Sequence, residues 1–144
     1  MVLMVFPIYT SSNLEKPFMF NMGEEKPSPS NWIKEHQIKV YDDKIIIEIE
    51  NAEWAKFTNT NSMDPVIDVG ANAIEIVPKS YKDIRNGDII SYEFSQDIII
   101  HRVVETGFDS NGWYARTKGD NLEQVDPYKI RFENIQRIVV AIIY

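Results

Sequence analysis

Apolar and polar residues alternate most regularly between residues 38 and 49. Ile38 and Val40, then Ile45, Ile47 and Ile49, recur at a spacing of two around Asp42-Asp43. A spacing of two puts alternate side chains on one face of a strand, and paired aspartates favour a turn, so this stretch predicts a β-hairpin. "NAIEIVP" predicts a further strand over residues 73–77, ended by Pro78. In "SYKDIRNGD", Ser80 and Asp83 form a small capping box and Asn86-Gly87 a stop, which leaves room for a single helical turn. "DIISYEF" and "IIIHRVVETG" read as two strands, and "WYARTKG" follows an Asn111-Gly112 hairpin signal. The last stretch, "RIVVAIIY", is a near-continuous apolar strand. Seven or eight strands with little helix predict a mostly β chain, a coiled sheet or partly open barrel.

Residues 1–31 lack such patterning. "TSSNLEKP" and "GEEKPSPSN" mix Pro, Ser, Gly and charge, so this part is expected to be an extended or mobile arm, with the β-rich domain spanning 32–144. At 144 residues, with 44% hydrophobic and 26% charged positions, the chain suits one soluble globular domain. The net charge of −7, with Lys and Arg scattered singly, argues against a nucleic-acid partner held through phosphates. There is no cysteine, which removes disulfides, thiolate nucleophiles and thiolate metal sites. The nine-residue run "MVLMVFPIY" is interrupted by Pro7 and lacks a basic start. It is too short for a spanning helix, which needs about 20 apolar residues, so the chain as given is not expected to cross a membrane.

Candidate chemistry enters through polar residues in unusual places. His101 lies within an apolar strand, where a lone histidine normally satisfies itself on a backbone carbonyl. Ser62 in "NSMDP", Asp120 beside Gly119 and Asp126 before Pro127 each suit a turn. Together they suggest more. A serine hydroxyl attacks only when a base removes its proton, and an imidazole with an ordinary pKa of ~6.5 does so at neutral pH. The imidazole needs a carboxylate to fix its tautomer, and Asp120 and Asp126 stand six residues apart on one downstream stretch. Lys118 is a weaker candidate base, since burial lowers a lysine pKa. No metal or other cofactor is expected: His36 and His101 lie far apart, without an acidic partner at ligand spacing.

The boxes "NSMDP", "GDIISY", "IIHRVV" and "TKGDNLEQVD" stand in the order found in signal peptidases. Over about residues 58–143 the chain resembles the archaeal and endoplasmic-reticulum type of that family. The resemblance implies the fold shared by signal peptidases and self-cleaving repressors. It implies Ser62 as nucleophile, His101 as general base at the position of the lysine base of bacterial members, and Asp126 as the acidic partner. Asp120 would orient its loop or share the base role. Met63 and Pro65 would shape the turn and the substrate groove, and the Ser62 amide would form part of the oxyanion hole. Family members carry a membrane helix shortly before the nucleophile, whereas residues 32–57 here read as strands and an aromatic stretch. Either an anchor lies outside this chain, on a membrane-associated, extracytoplasmic protein, or the domain is soluble.

These features point to a serine endopeptidase acting on signal-peptide-like segments of preproteins, cut after small residues. Two other readings stay open. One is an inactive peptide-binding module of the same fold. The other is a soluble self-cleaving regulator with a cleavable segment within residues 10–30.

Overall fold

A computed structural model describes residues 26–144. They are mostly β and fall into two compact units. The described part of one unit is residues 33–49; the other comprises residues 26–32 and 50–144. The apolar run at the amino end and the greater part of the expected arm lie outside the described residues.

The smaller unit holds the expected hairpin. Strands β1 (Ile38–Val40) and β2 (Ile45–Ile47) pair antiparallel, Ile38 opposite Ile47, with Asp42-Asp43 in the bend. Gln37 secures the open end by donating its amide to the Glu48 carbonyl at 2.6 Å. The alternation does not become a buried face, for Ile45, Ile46 and Ile47 are all exposed.

The larger unit is one six-stranded antiparallel sheet. Its strands are β3 (Glu53–Lys56), β4 (Asn72–Ile76), β5 (Ile89–Phe94), β6 (Asp97–Asp109), β7 (Gly112–Lys118) and β8 (Ile135–Ile143). The order is β3-β4-β8-β5-β6-β7. β3 and β7 are the sheet edges and do not pair, so no closed barrel forms. The helical turn expected after Pro78 is a 3-10 turn at Tyr81–Asp83. It is capped by Ser80, whose hydroxyl accepts from the Lys82 amide and whose own amide donates to Asp83. Register shifts between Ile74 and Glu75, Ser91 and Tyr92, and Val103 and Glu105 interrupt the ladders. Such bulges bend and twist strands.

Strand β5 is buried on both sides because neighbouring residues serve different cores. Ile90 and Tyr92 join Val103, Ala115, Ile130 and Ile138, while Ile89 joins Met63, Ile67, Ala73 and Val139. Met63 is 2% exposed. Sinking one such side chain is worth about 1.5–3 kcal/mol, so the residue after Ser62 anchors the turn that presents it.

Residues 26–31, which composition grouped with the arm, belong to this larger unit. Fully buried Asp88 holds them. Its carboxylate accepts from the Ser30 amide at 2.7 Å, the Arg85 amide at 2.9 Å, and the Ser30 hydroxyl and Trp32 indole, each at 3.2 Å. Gly87 makes the approach possible. It has φ +100°, and a Cβ there would lie 2.2 Å from the Ser28 carbonyl oxygen.

Candidate active site

The turn before β4 carries Ser62. Asn61 stands at φ +58°, a left-handed conformation that asparagine tolerates better than most residues. It turns the chain so that Met63 enters the core, while the Ser62 side chain lines a cleft of about 590 Å³. Its Oγ lies 3.2 Å from the Thr60 Oγ1.

His101 lines the same cleft, on β6 opposite Ile90. It is 8% exposed, and its Nδ1 is 2.7 Å from an Asp126 carboxylate oxygen. That oxygen also accepts from the Thr117 hydroxyl at 2.7 Å and the Tyr92 hydroxyl at 3.2 Å. The Asp126 amide donates to the Thr117 carbonyl at 2.8 Å, fixing the loop to β7. With Nδ1–H given to the carboxylate, Nε2 keeps a lone pair to accept a proton. Burial, with the Asp126 charge beside it, pushes the Tyr92 phenol up, against the lowering effect of Thr117. Tyr92 therefore stays protonated and remains a donor.

Asp120 does something different. Its carboxylate grips Arg102 in two bonds, 2.7 Å to Nε and 2.6 Å to Nη2, and Arg102 also donates to the Gly87 carbonyl at 2.7 Å. A two-pronged guanidinium–carboxylate pair fixes orientation as well as distance. Of its two expected roles, orienting the loop is the one with a visible partner.

The loop so held clasps the serine turn. The Asn121 amide donates to the Ser62 carbonyl at 3.0 Å, and its side-chain nitrogen to the Asn61 carbonyl at 2.9 Å. The Asp120 amide meets the Met63 sulfur at 3.4 Å. A Cβ on Gly119 would lie 2.5 Å from the Ser62 carbonyl oxygen, so only glycine permits this approach. Met63 packs beneath the turn and also lines the cleft, whereas Pro65 faces a different hollow, beside Arg102 and Lys118. Lys118, the other candidate base, lines the hollow that Pro65 faces rather than the cleft of Ser62 and His101. Among the described residues no hydrogen bond joins Ser62 to His101, and no group of His, Asp and Glu is arranged to hold a metal.

Sequence reasoning missed Arg102, Asn121, Thr117 and Tyr92. The first two were legible in "HR" and "GDN" as polar neighbours of candidate residues. Thr117 and Tyr92 fall inside the quoted boxes, but a strand threonine and a strand tyrosine carry no signal of a hydrogen bond to Asp126. Glu75 was missed as well. It lines the cleft from an inward position of β4.

Two strand edges border the cleft. Residues 97–101 of β6 pair with β5 on one side, while pairing with β7 begins only at Arg102. β3, whose Ala55 and Lys56 line the cleft, is an edge of the whole sheet. Unpaired main-chain groups thus border the serine and the histidine, as an extended peptide requires.

No family model, curated protein or solved structure matches the chain. Among the described residues no helix is long and apolar enough to cross a membrane.

Proposed function

We propose that this chain is a serine endopeptidase of the signal peptidase type, with the coiled-sheet fold of that family. The observation that carries the reading is the bond to Asp126 from Nδ1 of His101, which lines the same cleft as Ser62. A peptide lies extended along the free edge of residues 97–101. His101 Nε2 takes the Ser62 proton as Oγ attacks the scissile carbonyl carbon. The Ser62 amide stabilises the oxyanion, with the Thr60 hydroxyl close enough to add a second donor; each such donor is typically worth ~3 kcal/mol. The protonated imidazole gives its proton to the leaving amine. Water, activated by the same His101, then hydrolyses the acyl-enzyme and restores Ser62. The resemblance implies a small residue before the cut and a preprotein as substrate, on the extracytoplasmic side of a membrane.

A peptide-binding module without turnover is the second reading, favoured by the pairing of Ser62 with Thr60 rather than with His101. Covalent labelling separates the two. A serine-directed acylating inhibitor should modify Ser62 stoichiometrically, as read by peptide mass mapping, and fail on folded His101→Ala protein. Labelling equal in the two proteins would leave only the binding module.

A further inference from the structure

Glu75 stands where an apolar residue is expected. It shares its face of β4 with Ala73, a residue of the core, and is 7% exposed. Its side chain lines the Ser62–His101 cleft, and no hydrogen bond to it exists among the described residues. The nearest cation is already committed. Arg137 binds both carboxylate oxygens of Glu53, at 2.8 Å from Nη2, and Glu53 is the direct cross-strand neighbour of Glu75. Two carboxylates thus share one guanidinium, and Glu75 is the one without a bond. Burial accordingly holds the Glu75 carboxyl above its ordinary value, against the pull of Arg137. Asp68 and Asp97 add negative charge along the same cleft. Among the described residues Lys56 is the only lysine or arginine lining it, and its ammonium lies 5.0 Å over the Trp54 ring. A carboxylate so desolvated is costly unless something pairs with it.

We propose that Glu75 is a specificity-determining residue that receives a cationic side chain, an arginine or lysine, of the peptide in this cleft. This rests on the peptide-cleaving reading above and names its substrate class. The backbone of the peptide bonds to the strand edge, which any sequence can do, while the Glu75 carboxylate distinguishes one side chain from another. The register shift opposite Ile74/Glu75 leaves Val140 of β8 as the extra residue, so a bulge in the neighbouring strand stands beside Glu75.

The test is a binding measurement, so that failure of turnover and failure of this proposal stay distinct. Full-chain Ser62→Ala protein is titrated calorimetrically with alanine-based hexapeptides that carry arginine, or its neutral isostere citrulline, at one scanned position. At one position the arginine peptide should bind on the order of tenfold tighter, the fold-change of one charge-assisted hydrogen bond. Adding Glu75→Gln should bring that ratio to about one. Glu75→Ala checks that the loss follows the carboxylate rather than the glutamine rotamer. Equal affinities for arginine and citrulline at every position would overturn the proposal. So would an arginine preference that persists in both Glu75 variants.

Discussion

Asp120 and Asp126 are chemically identical, and their neighbours give them different work. Asp126 accepts from an imidazole and two hydroxyls, so its charge is spent on holding one His101 tautomer. Asp120 spends its charge on Arg102, and through its loop on the position of Ser62. Asp126→Asn should therefore leave the fold intact and lower kcat by up to about 10⁴-fold, the cost of the wrong tautomer in a triad. Asp120→Asn keeps an oxygen for Arg102 and should cost less. Its loss should also be partly rescued when loop geometry is kept, seen as unchanged exchange of the Asn121 amide. Steady-state kinetics on one peptide decides between them, and a larger loss in Asp120→Asn with that amide still protected would reverse the two assignments.

At the scale of elements, Asp88 does for residues 27–32 what a strand ladder does elsewhere. Four donors converge on its carboxylate, two of them main-chain amides. Asp88→Ala leaves those donors unpaired in a buried place, at a cost on the order of 3 kcal/mol or more. Gly87→Ala attacks the same contact differently, by thrusting a methyl group against the Ser28 carbonyl. In both variants the Ser30 amide should lose its protection in hydrogen exchange, while amides of β5 and β8 retain theirs. Full protection at Ser30 in Asp88→Ala would show that the segment is held by something else. The bulges act at this scale too. Two of them place their extra residue, Gln136 or Val140, on β8 opposite Ser91 and Glu75, both of which line the cleft, and so bend β8 between β4 and β5.

For the molecule as a whole, the net charge of −7 makes stability depend on where each carboxylate ends up. Glu75 and Asp109 act in opposite senses. Arg131, aided by Lys129, holds the Asp109 carboxyl well below the usual carboxylate range, so its contribution is present at neutral pH and lost in acid. Burial raises Glu75, so the folded state binds a proton that the unfolded chain has already released. That contribution is complete below the unfolded value of 4.5 and is lost as pH rises through the higher folded value. Glu75→Gln removes this loss. The stability of Glu75→Gln relative to wild type should thus increase from pH 4 to pH 7, as measured by urea unfolding at both values. A difference that stays constant across that range would mean that Glu75 titrates normally.

Sequence alone determined the elements whose signals are local. The Asp42-Asp43 and Asn111-Gly112 turns, the capped turn at Ser80, and the strands around His101 and at the carboxyl end all formed where period and turn chemistry put them. β3 was legible only as an aromatic stretch, because four mostly exposed residues at a sheet edge leave no period to read. Nor did the start of the domain show. Residues 26–31 look like linker by composition, and what fixes them is a carboxylate 58 positions away. The same holds at the site. Ser62, His101 and the two aspartates could be singled out as candidates from residue type and order, since nucleophile, base and acid are chemical kinds. The bond that selects Asp126 for His101, the Arg102 grip on Asp120 and the Asn121 clasp on Ser62 are distances between strands and loops far apart in sequence. Glu75 shows the limit most clearly. On paper it is one polar residue in an alternating strand, and only the packing of β4 against a core and a cleft makes it a largely buried carboxyl without a hydrogen bond among the described residues.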